Sequence, residues 1–233
     1  MRVKKFSHLS STHIFIILEI GMSHATKAKY LSFLVVFTLG TYFLIQNIVS
    51  HQHELITELD SAIPFMPQFV WIYHSLIPVI GATLFLLVNQ QRNFFNTFWA
   101  CIGASVIIHL IYVIMPSFYP RPDIVPGGLS EQLLALTYEI DNGSNTFPSG
   151  HVCYAWILYL GVRCSEQAKK VFGLRNLFLL WAIGVTLSTL TLKVHYVVDV
   201  LGGFVLAFMA FYSVRYLFNK FNTYSDEASD TKQ

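Results

Sequence analysis

The sequence contains few charged residues for its length. Only 12% of its 233 residues are Asp, Glu, Lys or Arg, and 54% are hydrophobic. A soluble domain of this length carries about 25% charged residues. The shortage of charge therefore argues against a soluble globular protein and indicates a membrane protein.

Cysteines are also scarce, and the basic residues form no cluster. The three cysteines, Cys101, Cys153 and Cys164, are odd in number and fall within or at the end of apolar runs. Their spacing predicts neither a disulfide framework nor a zinc site. Because the chain has no basic cluster with interleaved aromatic residues, we expect no nucleic-acid partner.

Long apolar runs occupy most of the chain. About 20 helical residues are needed to cross a hydrocarbon core of roughly 30 Å. Six runs are candidates for such spans: residues 30–49, 70–88, 94–115, 151–164, 176–192 and 196–217. The sequence therefore predicts an all-α fold, a six-transmembrane-helix bundle, in a single integral-membrane domain over residues 1–233.

The fourth run is shorter than the others. It amounts to about 14 helical residues, or roughly 21 Å at 1.5 Å per residue. We expect this helix either to begin below the level of the lipid headgroups or to continue as helix beyond Ser165. A lowered helix start would let an active site reach a headgroup while the lipid stays in the membrane.

The two ends of the chain are more polar than the runs between them. Residues 1–28 include Arg2, Lys4 and Lys5 and are predicted to form a cytoplasmic segment, with a cleaved signal peptide as the alternative. Residues 222–233 form a polar tail that we expect to be disordered.

The distribution of Lys and Arg predicts the orientation in the membrane, because these residues concentrate on the cytoplasmic side. With six spans both termini are cytoplasmic, and 13 of the 15 Lys and Arg residues then lie on that side. Arg121 and Lys193 are the exceptions. Either they pair with Asp123, Glu131 or a nearby carboxylate, or they serve a site on the outer face.

The outer face also carries the longest loop, residues 115–149. Its first part is rich in proline and is predicted to be extended. Its second part is predicted to be a short amphipathic helix that opens at Ser130 and lies along the membrane surface.

Pro148-Ser149-Gly150-His151 stands where an apolar helix is expected to begin. Ser149 can cap the helix, and Gly150 lets an anion approach the backbone closely. The free backbone N–H groups and the helix dipole favour a phosphate at this end. A Ser-Gly pair at a helix start is common, so the adjacent histidine is what points to a function.

His195 and Asp199 are four residues apart at the start of the last run. On a helix they share a face, where the carboxylate can accept a hydrogen bond from one ring nitrogen and leave the other free to attack. An isolated pair of this kind more often has a structural role at a helix end. At a membrane boundary, however, an ionisable pair indicates a functional site.

Three segments carry these features in order: Tyr119-Pro120-Arg121-Pro122, residues 145–151 and residues 188–199. Together they resemble the type 2 phosphatidic acid phosphatase (PAP2) superfamily, whose motifs are Lys-x6-Arg-Pro, Pro-Ser-Gly-His and Ser-Arg-x5-His-x3-Asp. The PAP2-like core covers residues 65–218. The stretches at residues 64–67, 145–149 and 195–199 look more like the branch that contains inositol phosphorylceramide synthases.

The resemblance implies a reaction through a phosphohistidine. His195 would attack phosphorus, Asp199 would orient His195, and His151 would protonate the leaving oxygen. The phosphate-binding groups would be Arg121, Ser149, Gly150 and Lys193. No metal and no cofactor are implied, and the chain has no cluster of carboxylates that would hold magnesium.

Two positions depart from the family pattern. The Lys of the first motif falls on Ile114, and the Arg of the third motif falls on Thr189. Two cations that bind phosphate are therefore absent. We expect Lys193, two residues before His195, to supply part of the missing charge.

The expected function is that of an integral-membrane lipid-phosphate phosphatase, acting on a phosphomonoester or pyrophosphate at the non-cytoplasmic face of a bacterial inner membrane or its equivalent. Its partners would be the lipid phosphate and the bilayer. The alternatives are a phosphotransferase that moves a phospho-headgroup onto a lipid alcohol and a lipid-binding pseudoenzyme. A transporter is disfavoured because the runs are nearly free of charge.

Overall fold

The protein is described by a computed structural model that covers residues 24–49, 53–125 and 127–230, with only the backbone described for residues 24, 27 and 221–230. The predicted N-terminal segment lies mostly outside these residues. Within them, regular structure is helical apart from two isolated bridges, His53 with Ser117 and Phe118 with Ser144. The all-α prediction is confirmed.

The helices begin and end as follows: α1 (His24–Ile48), α2 (Glu58–Ala62), α3 (Val70–His74), α4 (Leu76–Leu87), α5 (Gln91–Ile114), α6 (Leu129–Ile140), α7 (Gly150–Arg163), α8 (Glu166–Lys170), α9 (Leu174–Thr191) and α10 (Val197–Asp230). A single 3₁₀ turn, Pro67–Phe69, precedes α3.

Five stretches of the described chain are long and apolar enough to cross a membrane: Ala28–Ile48, Pro67–Leu87, Gln91–Ile114, Leu174–Thr191 and Val197–Lys220. Their bounds agree with five of the predicted runs to within a few residues. The run at 151–164 is not among them, so the prediction of six spans is not confirmed.

The missing run corresponds to α7, which has 14 residues and is the central helix of the bundle. Helices α4, α5, α9 and α10 pack around it, and most of its residues are buried. Two side chains also tie it to its neighbours: Tyr154 shares a hydrogen bond with Ser105 of α5 at 2.9 Å, and Trp156 donates to Thr186 of α9 at 3.0 Å. Because protein covers α7, it does not need the length of a helix that faces lipid.

The connections at one end of the bundle are long and partly folded. Helix α6 begins one residue before its predicted start at Ser130. Its Leu134 is fully buried against Val70 and Tyr73, which places α6 beside α3. The two bridges tie the chain near Ser117 to its neighbours on either side. This end of the bundle carries the motifs singled out from the sequence.

Helix α10 corrects the prediction for the C-terminal tail. It continues through Asp230, whereas residues 222–233 were expected to be disordered. The sequence contains neither glycine nor proline after Gly203, so nothing in its composition stops the helix early.

Candidate active site

The start of α7 is held by hydrogen bonds from three directions. Ser149 is its N-cap, and the Ser149 hydroxyl accepts a hydrogen bond from the Val152 N–H at 3.4 Å. The Tyr112 hydroxyl donates to the Pro148 carbonyl at 3.0 Å, and the Ser149 N–H donates to the Asp199 carbonyl at 2.9 Å. These contacts fix the backbone immediately before His151, the second residue of the helix.

The start of α10 is fixed in a comparable way. The backbone N–H groups of Val194 and His195 both donate to the Thr189 carbonyl at 3.1 Å. Asp199 is fully buried, and its Oδ2 accepts the Tyr196 N–H at 2.8 Å. The loop before α10 is therefore closed onto the end of α9, and His195 lies in that loop.

His195 and Asp199 lie close together, as their spacing predicts. His195 Nδ1 is 3.5 Å from Asp199 Oδ2, which is longer than a hydrogen bond. Within the described residues, neither His195 Nδ1 nor Asp199 Oδ1 has a hydrogen-bond partner, although both atoms are buried. The Asp199 carboxylate thus lies beside Nδ1 of the ring.

Two glycines bring α10 against the segment that precedes α7. A Cβ on Gly203 would lie 2.4 Å from the Ser149 carbonyl oxygen, and one on Gly202 would lie 2.7 Å from the Phe147 ring. Real Cβ atoms do not make contacts that short, so only glycine permits this approach. The close packing brings His151 and His195 to the same place.

The two imidazole rings face each other across a narrow gap. Their centroids are 6.3 Å apart and their planes are inclined by 56°. A group placed midway between them would lie about 3 Å from each ring centroid, half of the measured separation. The two rings can therefore flank a single phosphoryl group.

The His151 ring stacks on Tyr73. The two centroids are 4.0 Å apart, with 19° between the planes. Tyr73 belongs to α3 and is buried, with only 4% of its surface exposed. Offset or parallel aromatic contacts of this kind restrict how a ring can rotate, so Tyr73 determines the orientation of the His151 imidazole.

Arg121 is held over the site by two partners. Its Nη2 lies 2.9 Å from Asp141 Oδ1, and its Nη1 donates to the Lys193 carbonyl at 3.1 Å. The guanidinium also lies over the Tyr138 ring at 5.2 Å. Its Nε is buried and has no partner among the described residues. A buried donor without a partner is typical of a site that awaits a ligand.

The surroundings of Arg121 favour its charged form. Burial lowers the pKa of the guanidinium, but the Asp141 carboxylate, followed by Tyr73 and Tyr42, raises it more, so that the pKa lies above its ordinary value. The sequence left open whether Arg121 pairs with a carboxylate. It does, and its partner is Asp141 rather than Asp123 or Glu131. The free Nε shows that this pairing does not use all of its donors.

The Lys193 side chain binds backbone carbonyls, whereas the sequence predicts that it binds phosphate. Its ammonium donates to the carbonyls of Asp60 at 2.8 Å and of Ile63 at 2.7 Å. Burial lowers the pKa of this ammonium, and Asp60 opposes the effect only in part. A direct phosphate-binding role for Lys193 stays a prediction, since both of these contacts are to backbone oxygens of the protein itself.

Ile114 and Thr189, the two departures from the motif pattern, differ in their surroundings. Ile114 is 79% exposed at the end of α5. Thr189 is fully buried, and its carbonyl holds the loop of His195 as described above. Neither position contributes a charge to the site.

A cavity of about 240 Å³ connects the histidines with the interior of the bundle. Arg121, Gly150, His151 and His195 line its polar end. Its remaining walls are largely apolar and come from α1, α4, α5 and α6, with side chains such as Leu39, Ile80, Ile108 and Leu136. The shape combines a small charged end with a larger apolar chamber.

A family model described as the PAP2 superfamily matches residues 98–223, more than half of the chain. The chain belongs to the PAP2 superfamily. Searches of the curated proteins and of the solved structures found no match. The PAP2 match includes Arg121, His151, His195 and Asp199, and it does not include α1 to α4.

PAP2 superfamily members are phosphatases or phosphotransferases. Five apolar helices together with PAP2 membership fit an integral membrane protein. The site geometry and the family therefore lead to the same broad class, a membrane enzyme of the phosphatase type.

The PAP2 motifs gave no indication of several residues that shape the site. Tyr73 stacks on His151, Asp141 binds Arg121, and Tyr112 holds the start of α7. None of the three has a local spacing to a motif residue that marks it. Of these residues, only Asp141 could have been anticipated, because Arg121 was expected to pair with a nearby carboxylate.

Proposed function

We propose that this PAP2 protein hydrolyses a phosphomonoester or pyrophosphate of a lipid through a phosphohistidine intermediate. The observation that carries the proposal is the pair of imidazoles 6.3 Å apart beside the buried Arg121 guanidinium, at the mouth of an apolar cavity. A lipid phosphate has the same division into a charged head and an apolar chain.

In the first step, Nε2 of His195 attacks phosphorus and the bond to the lipid oxygen breaks. Asp199 faces Nδ1 at 3.5 Å and stabilises the positive charge that develops on the ring. Burial, followed by the neighbouring His195, lowers the pKa of His151, so this ring takes up its proton when the phosphate anion binds beside it. His151 then gives that proton to the leaving oxygen, and the lipid departs as an alcohol or a phosphate. His195 is left phosphorylated and His151 neutral.

In the second step, water attacks the phosphohistidine. His151 takes a proton from the water, the nitrogen–phosphorus bond breaks, and inorganic phosphate leaves. Both histidines then return to their starting states. In each step the equatorial oxygens carry negative charge, which Arg121 and the backbone N–H groups at the start of α7 stabilise.

The proposal places this reaction on the non-cytoplasmic face. Two features support that orientation. The cations at the site end, Arg121 and Lys193, are both engaged inside the protein. Exposed Arg and Lys residues of the described chain, including Arg92, Lys169 and Lys220, belong to the opposite end, where the orientation rule expects them.

The test uses purified protein and a lipid phosphate labelled with ³²P. We expect release of labelled inorganic phosphate and a transient labelled protein whose bond is labile in acid and stable in base. His195→Ala is expected to abolish both signals. His53→Ala, which removes an exposed histidine at the same end, is the matched control and keeps them.

A labelled second lipid, formed when a lipid alcohol is added, would identify a phosphotransferase instead. If His195→Ala turns over lipid phosphate at the parent rate, the proposed nucleophile is wrong. If the parent protein neither releases nor transfers phosphate from any lipid phosphate or pyrophosphate, the proposal of an active enzyme fails.

A further inference from the structure

The segment of residues 57–66 lies against the loop that carries His195. Four hydrogen bonds connect them, although the two stretches are far apart in the chain. The Met66 N–H donates to the Thr191 carbonyl at 3.0 Å. The Lys193 ammonium donates to the carbonyls of Asp60 and Ile63, and the Val197 N–H donates to Asp60 Oδ1 at 2.8 Å.

Asp60 is the centre of this segment. It is 96% buried, which a carboxylate tolerates only when its oxygens are hydrogen-bonded. Its Oδ2 accepts both the N–H and the hydroxyl of Thr57 at 2.7 Å, and its Oδ1 accepts the N–H of Val197. The carboxylate is thus rigidly held on one side and binds the first residue of α10 on the other.

The position of Asp60 also has an electrostatic consequence. The first N–H groups of a helix have no partner within the helix, and the helix dipole makes that end positive. A negative charge from a distant segment therefore both satisfies the Val197 N–H and stabilises the start of α10. Because His195 lies two residues before Val197, the start of the helix determines where His195 is.

Lys193 connects the same segment to the other half of the site. It has a left-handed backbone (φ 52°), which is unfavourable for a residue with a side chain and persists only when surrounding contacts hold it. Its ammonium holds residues 60 and 63, and its own carbonyl accepts Nη1 of Arg121 at 3.1 Å. One residue thereby links the 57–66 segment, the His195 loop and Arg121.

We propose that Asp60 and Lys193 are positioning residues, which lock the 57–66 segment onto the loop before α10 and so hold His195 and Arg121 at the separation that phosphoryl transfer requires. This inference rests on the proposed function, in which His195 is the nucleophile. It assigns Lys193 an indirect role: its ammonium acts on the protein backbone and does not contact the phosphate.

The test separates positioning from phosphate binding by steady-state kinetics on a lipid phosphate. Lys193→Met should lower kcat by about 10²-fold, the cost of misplacing a reacting group by about 1 Å. The inhibition constant of inorganic phosphate should rise far less than kcat falls, since no phosphate ligand is lost. Lys193→Arg, which can still donate to both carbonyls, should recover part of kcat. Lys169→Met, at an exposed position in α8, is the control and should behave as the parent.

Variants of Asp60 provide a second, independent test. Asp60→Ala removes the acceptor of the Val197 N–H and should also lower kcat, and Asp60→Asn should lower it less because an oxygen remains for that contact. If Lys193→Met does not fold, the Asp60 variants decide the matter, with thermal melting in detergent recorded for each protein.

Two results would overturn the inference. The first is a parent-like kcat in both Lys193→Met and Asp60→Ala. The second is an inhibition constant of phosphate that rises in proportion to the loss of kcat/KM in Lys193→Met, which would make Lys193 a direct ligand. Activity retained in His195→Ala would instead disprove the proposed function, so the two failures are distinguishable.

Discussion

The two ends of the helix bundle use their charged residues in opposite ways. At the site end, Arg121 and Lys193 are partly buried and donate to backbone and side-chain groups inside the protein. At the opposite end, the basic side chains are mostly exposed: Arg92, Arg163, Lys169, Lys170, Arg215 and Lys220. Exposed cations define orientation in a membrane, whereas the two cations at the site end hold parts of the protein together.

The backbone shows the same contrast. Within the described residues, the two left-handed positions that are not glycine, Asn145 and Lys193, both lie at the site end. The turn between α8 and α9 at the other end uses Gly173 for its left-handed residue, which costs no strain. Strain of this kind concentrates at functional sites, because surrounding contacts there hold a geometry for reasons other than stability.

The largest effect expected from this comparison is at His151. His151→Asn should lower kcat for an alkyl phosphate by about 10²- to 10⁴-fold, the usual contribution of a general acid. The loss should be much smaller with 4-nitrophenyl phosphate, because that leaving group departs without a proton. Equal losses on the two substrates would show that His151 does not protonate the leaving oxygen.

Replacing an arginine with lysine should have a smaller effect on kcat/KM, and only at the site end. Arg121→Lys keeps the charge but loses the forked donor geometry, and should lower kcat/KM by about 10²-fold, as for removal of one transition-state donor. Arg92→Lys, at an exposed position that contacts Asn219, should leave turnover unchanged. If Arg121→Lys and Arg92→Lys are equally active on the same lipid phosphate, the arginines of the two ends do not differ in their role.

The stack of Tyr73 on His151 predicts a more modest change. An aromatic pair contributes about 0.5–1.5 kcal/mol beyond burial, so Tyr73→Leu should lower kcat up to about tenfold. Tyr73→Phe keeps the ring and should remain close to the parent. Steady-state rates on a lipid phosphate check this, and a Phe variant as impaired as the Leu variant would mean that the hydroxyl, and not the stack, matters.

The smallest effect compares the same substitution at both ends. Ser149 caps α7, and Ser165 caps α8 by accepting the Ala168 N–H at 3.0 Å. Replacing either serine with alanine should cost about 0.5–2 kcal/mol of stability, measured by thermal melting in detergent. Only Ser149→Ala should also reduce phosphate release. A matching loss of activity in Ser165→Ala would mean that destabilisation alone accounts for the effect.

Much of the architecture could be predicted from periodicity and composition. The helical class and the approximate bounds of five spans followed from the length and polarity of the apolar runs, and the superfamily followed from the three motif segments. The short run at 151–164 was harder to place, because hydropathy does not show whether lipid or protein covers a helix. Only the packing of four helices around α7 settles that it is a buried core helix.

The site was predictable where chemistry and local spacing coincide. His195 and Asp199 share one turn, and His151 follows a capping serine at a helix start, so these residues could be named from the sequence. Asp60 and Tyr73 could not, since each acts across more than 70 residues of chain and has no distinguishing neighbours. For Lys193, its charge suggested a phosphate ligand, whereas its contacts depend on a loop conformation that spacing does not reveal.

Gly203 places an unusual constraint on this protein. Its Cα faces the Ser149 carbonyl so closely that even a methyl group would push the two segments apart. The gap between the imidazoles is therefore maintained by a residue that has no reactive group, no charge and no hydrogen-bonding side chain. Inventories of catalytic residues based on reactivity would overlook it, although a side chain at this position would move apart the two segments that carry His151 and His195.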